Sequence, residues 1–278
     1  MPSKTPSRKR AARAAQPRLA TRMVHGGSVR SQFGETSEAL FLTSGYSYES
    51  AEQVAARFRE DEAGYLYSRF GNPTVRMLEE RLMALEGAED ARATTTGMAA
   101  VMASMFCFLR SGDHVVSSHK LFSSCRYIIV DLLPRFGVAS TLVEGQDLAQ
   151  WKKAVRPNTR AFFLESPANT TLDVIDIAAV ARIARAAGAK LIVDNTFTTP
   201  VLQRPLELGA DIAVYSATKH MDGQGRLLGG AVLGSRQYVS DHLANYVRQT
   251  GPTLSAFNAW ALLKALETLP LRMAQHCA

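Results

Sequence analysis

From Asn72 onward, short apolar or β-branched runs alternate with helical runs of about a dozen residues, and this alternation constrains the fold more than any other feature. Asn72 can cap a helix with Pro73 at its first position, and PTVRMLEERLMALEG then closes at Gly87. TTTGMAAVMASMFCFLRSG predicts a helix opened by hydroxyl residues and closed at Gly112, followed by a strand near HVVSS. A further helix is expected from about Phe122 to Arg135, then a strand at VASTLV. TRAFFLES, DIAAVARIARAAG and AKLIVDNT read as strand, helix and strand, and DIAVYSATK and GGAVLGS add two more strands. Strands separated by helices imply crossover connections and a mostly parallel sheet packed between helices, an α/β fold. No internal repeat interrupts it.

Composition narrows the function classes. Of 278 residues, 46% are hydrophobic and 21% charged, which suits a globular chain with a substantial core. The net charge of +7 is localised: residues 1–34 hold eight of the 32 basic residues and no acid, so the remaining 24 face 25 acids. The basic excess therefore belongs to a tail, MPSKTPSRKRAARAAQPR, and not to a nucleic-acid-binding face. The tail is expected to be disordered and solubilising, rather than RNA-binding or organelle-targeting. No window has the roughly 18 apolar residues of a membrane span. Cys107, Cys125 and Cys277 show no C-x-x-C spacing and read as reduced thiols of a cytoplasmic protein, and the six histidines form no metal-ligand cluster.

In sheets of this kind ligands bind at the carboxyl ends of the strands. That rule brings Asp194 and Asn195, Glu165 and Ser166, and Ser216, Thr218 and Lys219 to one rim. Lys219 precedes a glycine-rich run, yet the phosphate motifs with such a run do not fit. Thr218 stands where a P-loop needs glycine, and Leu228 occupies the last glycine position of a G-x-G-x-x-G fingerprint. A lysine at a half-buried strand end can instead form a Schiff base with a carbonyl, because desolvation favours the neutral amine. Alone, Lys219 reads better as a surface lysine beside a loop. Its neighbours match what bound pyridoxal phosphate needs: Asp194 to hold a proton on the ring nitrogen, Ser216 and Thr218 for the phosphate, and Phe122 against the ring face. Backbone N–H groups at the helix start would complete the cradle, with Gly97 allowing close approach. A second cluster, GYLYSRFGNPT, puts Tyr67 and Arg69 two apart, so that in an extended segment both face one way, toward an anion. In isolation it is better read as an aromatic and basic pair packed at a helix start.

Together SATKHMDGQGR, YSRFGNPT, TGMAA, ESPANT and IVDNT, in this order, resemble the Cys/Met-metabolism family of pyridoxal-phosphate enzymes, from Thr21 to about Met273. The resemblance implies the large domain of an aspartate-aminotransferase-like fold. It assigns Lys219 as the lysine that carries the cofactor and Asp194 as the ring-nitrogen partner. Gly97, Met98, Ser216 and Thr218 become phosphate ligands, and Phe122 the ring-stacking residue where many relatives have tyrosine. Tyr67 and Arg69 would reach the phosphate of a neighbouring subunit, implying a homodimer or homotetramer with shared sites. Tyr46 and Asn169 would face the substrate. Thr96 replaces the more usual serine before Gly97-Met98.

The expected organisation is a tail over 1–20, an arm for contacts between subunits over 21–64, the cofactor-binding α/β domain over 65–260, and over 261–278 the start of a helix toward a C-terminal domain. In the family that domain supplies the arginine for the substrate carboxylate, and the chain is expected to be truncated before it. TRMVHGG, SEALFLTSGYSYESAEQVAARF and TKHMDGQGR most resemble the branch that joins sulfide to O-succinylhomoserine, giving homocysteine and succinate in methionine biosynthesis. The alternatives are cystathionine synthesis, a γ-lyase acting on cystathionine or methionine, and an inactive cofactor-binding fragment.

Overall fold

The computed structural model describes residues 17–278, so the expected basic tail lies almost wholly outside the described residues. Three helices precede the sheet, α1 (Leu19–His25), α2 (Ala51–Phe58) and α3 (Pro73–Glu86). The start of α3 follows the sequence reading: the Asn72 side chain accepts the Thr74 and Val75 N–H groups, and Pro73 opens the helix. Gly87 ends it with φ 84°, a left-handed conformation that glycine adopts without Cβ strain.

Seven strands follow: β1 (Asp90–Thr94), β2 (His114–Ser118), β3 (Ala139–Val143), β4 (Thr159–Glu165), β5 (Lys190–Asp194), β6 (Ile212–Ser216) and β7 (Gly230–Gly234). Their order across the sheet is β1-β7-β6-β5-β4-β2-β3. β7 runs antiparallel to both neighbours and the other pairings are parallel, the mostly parallel sheet expected of the α/β class. β1 was not anticipated. Its sequence, DARAT, has no β-branched run, and it becomes a strand through its pairing with β7 from Asp90 opposite Gly234 to Thr94 opposite Gly230.

Helix α4 spans Gly97–Phe106, with Thr96 capping it by accepting the Ala99 N–H. It ends before the expected Gly112. That glycine, at φ 91°, lies instead in the turn into β2, where the Asp113 carboxylate accepts the Arg110 N–H at 2.7 Å. The helical run from Phe122 to Arg135 is present, with α5 (Ser123–Tyr127) followed by a π turn over Ile128–Leu132. Pro134 lies just beyond that turn and has no N–H to continue an α-helical ladder.

The strands from β7 to β2 across the sheet are largely buried on both sides, and successive residues serve opposite faces. On β4, Phe162 packs with Trp151 and Val180, while Phe163 packs with Ala100, Ile129 and Leu133. On β6, Val214 belongs to the α4 side and Tyr215 to the α3 side, where Leu78, Leu82 and Leu262 meet it. Each such aromatic or branched side chain contributes about 1.5–3 kcal/mol through burial. A second anchor fixes the N-terminal segment to this core: fully buried Arg81 donates to the Gly26 carbonyl at 2.9 Å, to Ser28 at 2.8 Å and to the Glu38 carboxylate. Burial raises the Glu38 carboxyl, but hydrogen bonds from Lys264 and Arg81 outweigh it and hold Glu38 at about 2.

Candidate active site

The carboxyl ends of β4, β5 and β6 lie side by side. Glu165 is the register partner of Asp194, and Asp194 that of Val214, two residues before Ser216. The N-terminus of α4 closes over this rim because it packs against the end of β6 with no room for a side chain. A methyl group on Gly97 would collide with the Ser216 side chain, and one on Gly230 with the Thr96 carbonyl. Between them lies a cavity of about 370 Å³. Gly97, Met98, Phe122, Asn169, Asp194, Ser216, Thr218 and Lys219 all line it, so eight residues singled out in the sequence converge.

The wall is polar at defined points. Asp194, 8% exposed, receives the backbone N–H of Thr196 at 3.0 Å and its hydroxyl at 2.6 Å, both on Oδ1. Oδ2 has no protein donor among the described residues. Burial raises the Asp194 carboxyl, opposed by the two Thr196 hydrogen bonds, so the anion is better stabilised by a cationic partner inside the cavity. Beside it Glu165, 4% exposed, is raised to about 7, first by burial and then by the Asp194 charge. Across the cavity, the Gly97 and Met98 N–H groups at the start of α4 and the Ser216 hydroxyl have no protein partner among the described residues. A helix N-terminus with free N–H groups favours an anion.

Two details differ from the sequence reading. The Thr218 hydroxyl lines the cavity but is engaged by Gly229, donating to its carbonyl at 3.3 Å and accepting its N–H at 3.1 Å. Lys219 is exposed rather than half-buried, because it lies in the turn after β6 at the open side of the cavity. Its amine has no protein partner among the described residues.

Tyr46, Tyr67 and Arg69 are not brought to this cavity. Their segment is a turn and not the extended run expected: the Tyr67 carbonyl accepts the N–H groups of Phe70 and Gly71 at 2.8 and 3.1 Å. The Arg69 guanidinium still lies against aromatic rings, 5.6 Å from the Tyr67 centroid and 4.8 Å from that of Phe70, and donates to the Arg248 carbonyl. Tyr46 stacks on Tyr65 at 5.4 Å and accepts from Asn72 at 3.3 Å.

Sequence reasoning missed Thr196, whose hydroxyl donates to Asp194 and accepts the Ser216 N–H at 2.8 Å, tying the two strand ends together. The signal was present: an aspartate commonly accepts the N–H two residues on, and Asp194-Asn195-Thr196 has that spacing. Phe197 and buried Cys125 also line the cavity, without a local motif to mark them.

A helix N-terminus with free N–H groups, a buried carboxylate and an accessible lysine around one cavity are the groups that pyridoxal-phosphate chemistry on an α/β fold calls for. The residues lining the cavity suit that cofactor: Gly97, Met98 and Ser216 could hold a phosphate, Asp194 a protonated ring nitrogen and Lys219 a carbonyl carbon. The family model described as Cys/Met metabolism PLP-dependent enzyme matches residues 20–278, and the chain belongs to that family, whose cofactor is pyridoxal phosphate. It is 51% identical over 257 residues to the O-succinylhomoserine sulfhydrylase of Mycobacterium tuberculosis strain H37Rv, covering 92% of this chain and 63% of that protein. It is 39% identical over 263 residues to the L-methionine gamma-lyase of Treponema denticola, covering 94% of this chain and 66% of that one. The crystal structure of a putative O-acetylhomoserine (thiol)-lyase from Campylobacter jejuni, which carries a pyridoxyl-lysine, superposes with TM-score 0.89 at 30% identity over 94% of this chain and 73% of that one. The chain therefore spans less than two thirds of the length of the sulfhydrylase it matches.

Among the described residues no helix is long and apolar enough to cross a membrane, and no cluster of three or more potential metal ligands occurs.

Proposed function

We propose that this chain carries the cofactor-binding part of an enzyme that replaces the succinyl group of O-succinylhomoserine with sulfide, releasing homocysteine and succinate. The observation that carries the reading is the 51% identity to an O-succinylhomoserine sulfhydrylase over 92% of the chain, supported by a cavity that gathers a lysine, a buried carboxylate and a helix N-terminus. Bound pyridoxal phosphate supplies an electron sink that acidifies the carbons next to the substrate amino group. In this reading Lys219 would hold the cofactor and would move protons at the substrate Cα and Cβ from the open side of the cavity. Asp194 would keep the ring nitrogen protonated, its Oδ1 being engaged by Thr196 and its Oδ2 left without a protein donor among the described residues.

Gly97 and Met98 N–H groups and the Ser216 hydroxyl bind the phosphate, joined by Thr218 if its hydroxyl turns from Gly229. Phe122 covers the ring without a hydroxyl of its own, which leaves proton handling to Lys219. Asn169 faces the substrate from within the cavity. Tyr46, Tyr67 and Arg69 act on the site of a second copy of the chain, in a homodimer or larger assembly. Measuring succinate release with and without sulfide tests the reaction. Release that depends on sulfide and matches homocysteine formed supports replacement; release that proceeds equally without sulfide assigns γ-elimination instead.

A further inference from the structure

Of the cavity's charged groups, Glu165 is the one to which the proposed reaction gives no task. Its two oxygens are divided between two segments of chain. Oε2 accepts the Phe122 N–H at 2.8 Å, and Oε1 accepts the Asn169 N–H at 3.2 Å. Phe122 is the residue immediately before α5 and its ring lines the cavity, although it is 39% exposed; no side-chain hydrogen bond caps that helix. Asn169 belongs to the loop after β4 and lines the same cavity. Glu165 itself sits at the end of β4, 4% exposed and in register with Asp194, so it is anchored to the strand that pairs with the ring-nitrogen partner.

One buried carboxylate thus ties two cavity walls outside the sheet, the proposed ring-covering aromatic and the proposed substrate-facing amide, to the strand position that pairs with Asp194. Placing an acid beside another in a low-dielectric site is unfavourable, so its retention needs a return that an apolar residue would not supply. The double backbone acceptance is that return. A carboxylate is the one side chain whose two oxygens both accept without donating, so it satisfies two N–H groups in different segments at once.

We propose that Glu165 is a positioning residue for cofactor and substrate, acting through the backbones of Phe122 and Asn169 and touching neither ligand as a proton donor or acceptor. The proposal rests on the reading of the Lys219 cavity as the cofactor site. Glu165→Gln keeps the volume but offers one acceptor in place of two, and Glu165→Ala removes both.

The test is equilibrium binding of pyridoxal phosphate, the visible circular dichroism of the bound cofactor, and thermal melting of the cofactor-free protein, with Phe122→Ala and the double variant as a cycle. Glu165→Ala is expected to weaken cofactor binding at least roughly tenfold and to alter the dichroic band. Glu165→Gln should give a smaller change in the same direction. Because Glu165 acts through Phe122, the effects of Glu165→Ala and Phe122→Ala should be markedly less than additive. Should Glu165→Ala fail to fold, Glu165→Gln carries the same comparison. Additive effects, or lowered melting of the cofactor-free protein with unchanged affinity and dichroism, overturn the proposal. Failure of the underlying reading is seen separately, because borohydride would then fix the cofactor of the unaltered protein on a lysine other than Lys219.

Discussion

The rim at the ends of β4, β5 and β6 and the segment from Tyr46 to Arg69 carry equally suggestive residues, yet they behave differently in the folded chain. At the rim, a lysine, a carboxylate, a hydroxyl and a helix N-terminus surround one cavity. In the N-terminal segment, a phenol and a guanidinium remain close to each other but meet only protein: aromatic rings and the Arg248 carbonyl. Tyr67 is 44% exposed and Phe33, earlier in the same arm, 85% exposed. The first region gathers its groups around one cavity within a single chain. The second has the chemistry of an anion contact and no anion site of its own formed with the rim. The difference separates residues that can be placed by strand-end geometry from residues whose proposed task needs another copy.

The sharpest way to break this comparison is at Lys219. Lys219→Ala should lower turnover roughly a thousandfold or more, since the one group proposed to handle protons at both carbons is removed. Borohydride reduction of the unaltered protein should fix the cofactor on the peptide containing Lys219. Labelling elsewhere would remove the rim from the chemistry.

Behind the rim lies a second carboxylate, and it sharpens the comparison through stability. Fully buried Glu86 accepts the Tyr215 hydroxyl, and Asn195 donates to that hydroxyl at 2.9 Å, so the last turn of α3 is tied to both β5 and β6. Burial raises Glu86 to about 7 from 4.5, against the Tyr215 and Leu206 hydrogen bonds and the Arg204 charge, with Glu207 adding to the rise. The folded-state value is thus above the unfolded one. Its stabilising effect is fully present below pH 4.5 and is lost as pH rises through 7. The loss is about 3 kcal/mol, a few hundredfold in the unfolding equilibrium. Glu86→Gln should flatten the stability profile between pH 4.5 and about 7 in denaturant titrations. An unchanged slope would show that Glu86 does not titrate there.

Asp194→Asn probes the rim more selectively. The amide keeps the shape and the Thr196 contacts to one oxygen, but cannot balance a protonated ring nitrogen. Cofactor should remain bound while turnover falls by roughly a hundredfold, in kcat more than in KM. Near-normal turnover would take Asp194 out of the mechanism.

Much of the rim was legible because strand ends can be read from local pattern. AFFLE, LIVD and IAVYS are apolar runs that stop at a polar residue, and parallel pairing in register then sets Glu165, Asp194 and Ser216 on one edge. The Asn72-Pro73 start and the Gly87 stop of α3 were equally local. What escaped depends on partners distant in sequence. β1 is a strand because β7 is beside it, and Gly230 is required small because the Thr96 carbonyl approaches from α4. The spacing of Tyr67 and Arg69 suggested an extended pair, whereas the turn at Phe70 and Gly71 is set by packing against Arg248 and Thr253, whose hydroxyl donates to the Arg69 carbonyl at 3.1 Å.

The remaining question is whether the N-terminal segment completes a rim across a subunit boundary, and complementation answers it. If Tyr67 and Arg69 of one chain serve the phosphate bound by another, Arg69→Ala and Lys219→Ala each disable every site of their own homodimers. When the two are co-expressed, a mixed dimer has one site with intact Lys219 from the first chain and intact Arg69 from the second, while its other site lacks both. Random pairing makes half of the dimers mixed, and half of the sites in those are intact, so activity should recover to roughly a quarter of the unaltered protein. The recovery should vanish if the two variants are purified apart and mixed under conditions where subunits do not exchange. If each site is instead built from a single chain, mixing restores nothing, because every site then contains one of the two lesions. Absence of recovery with both variants folded and mixed dimers demonstrated would confine Tyr67 and Arg69 to the packing role that they have within this chain.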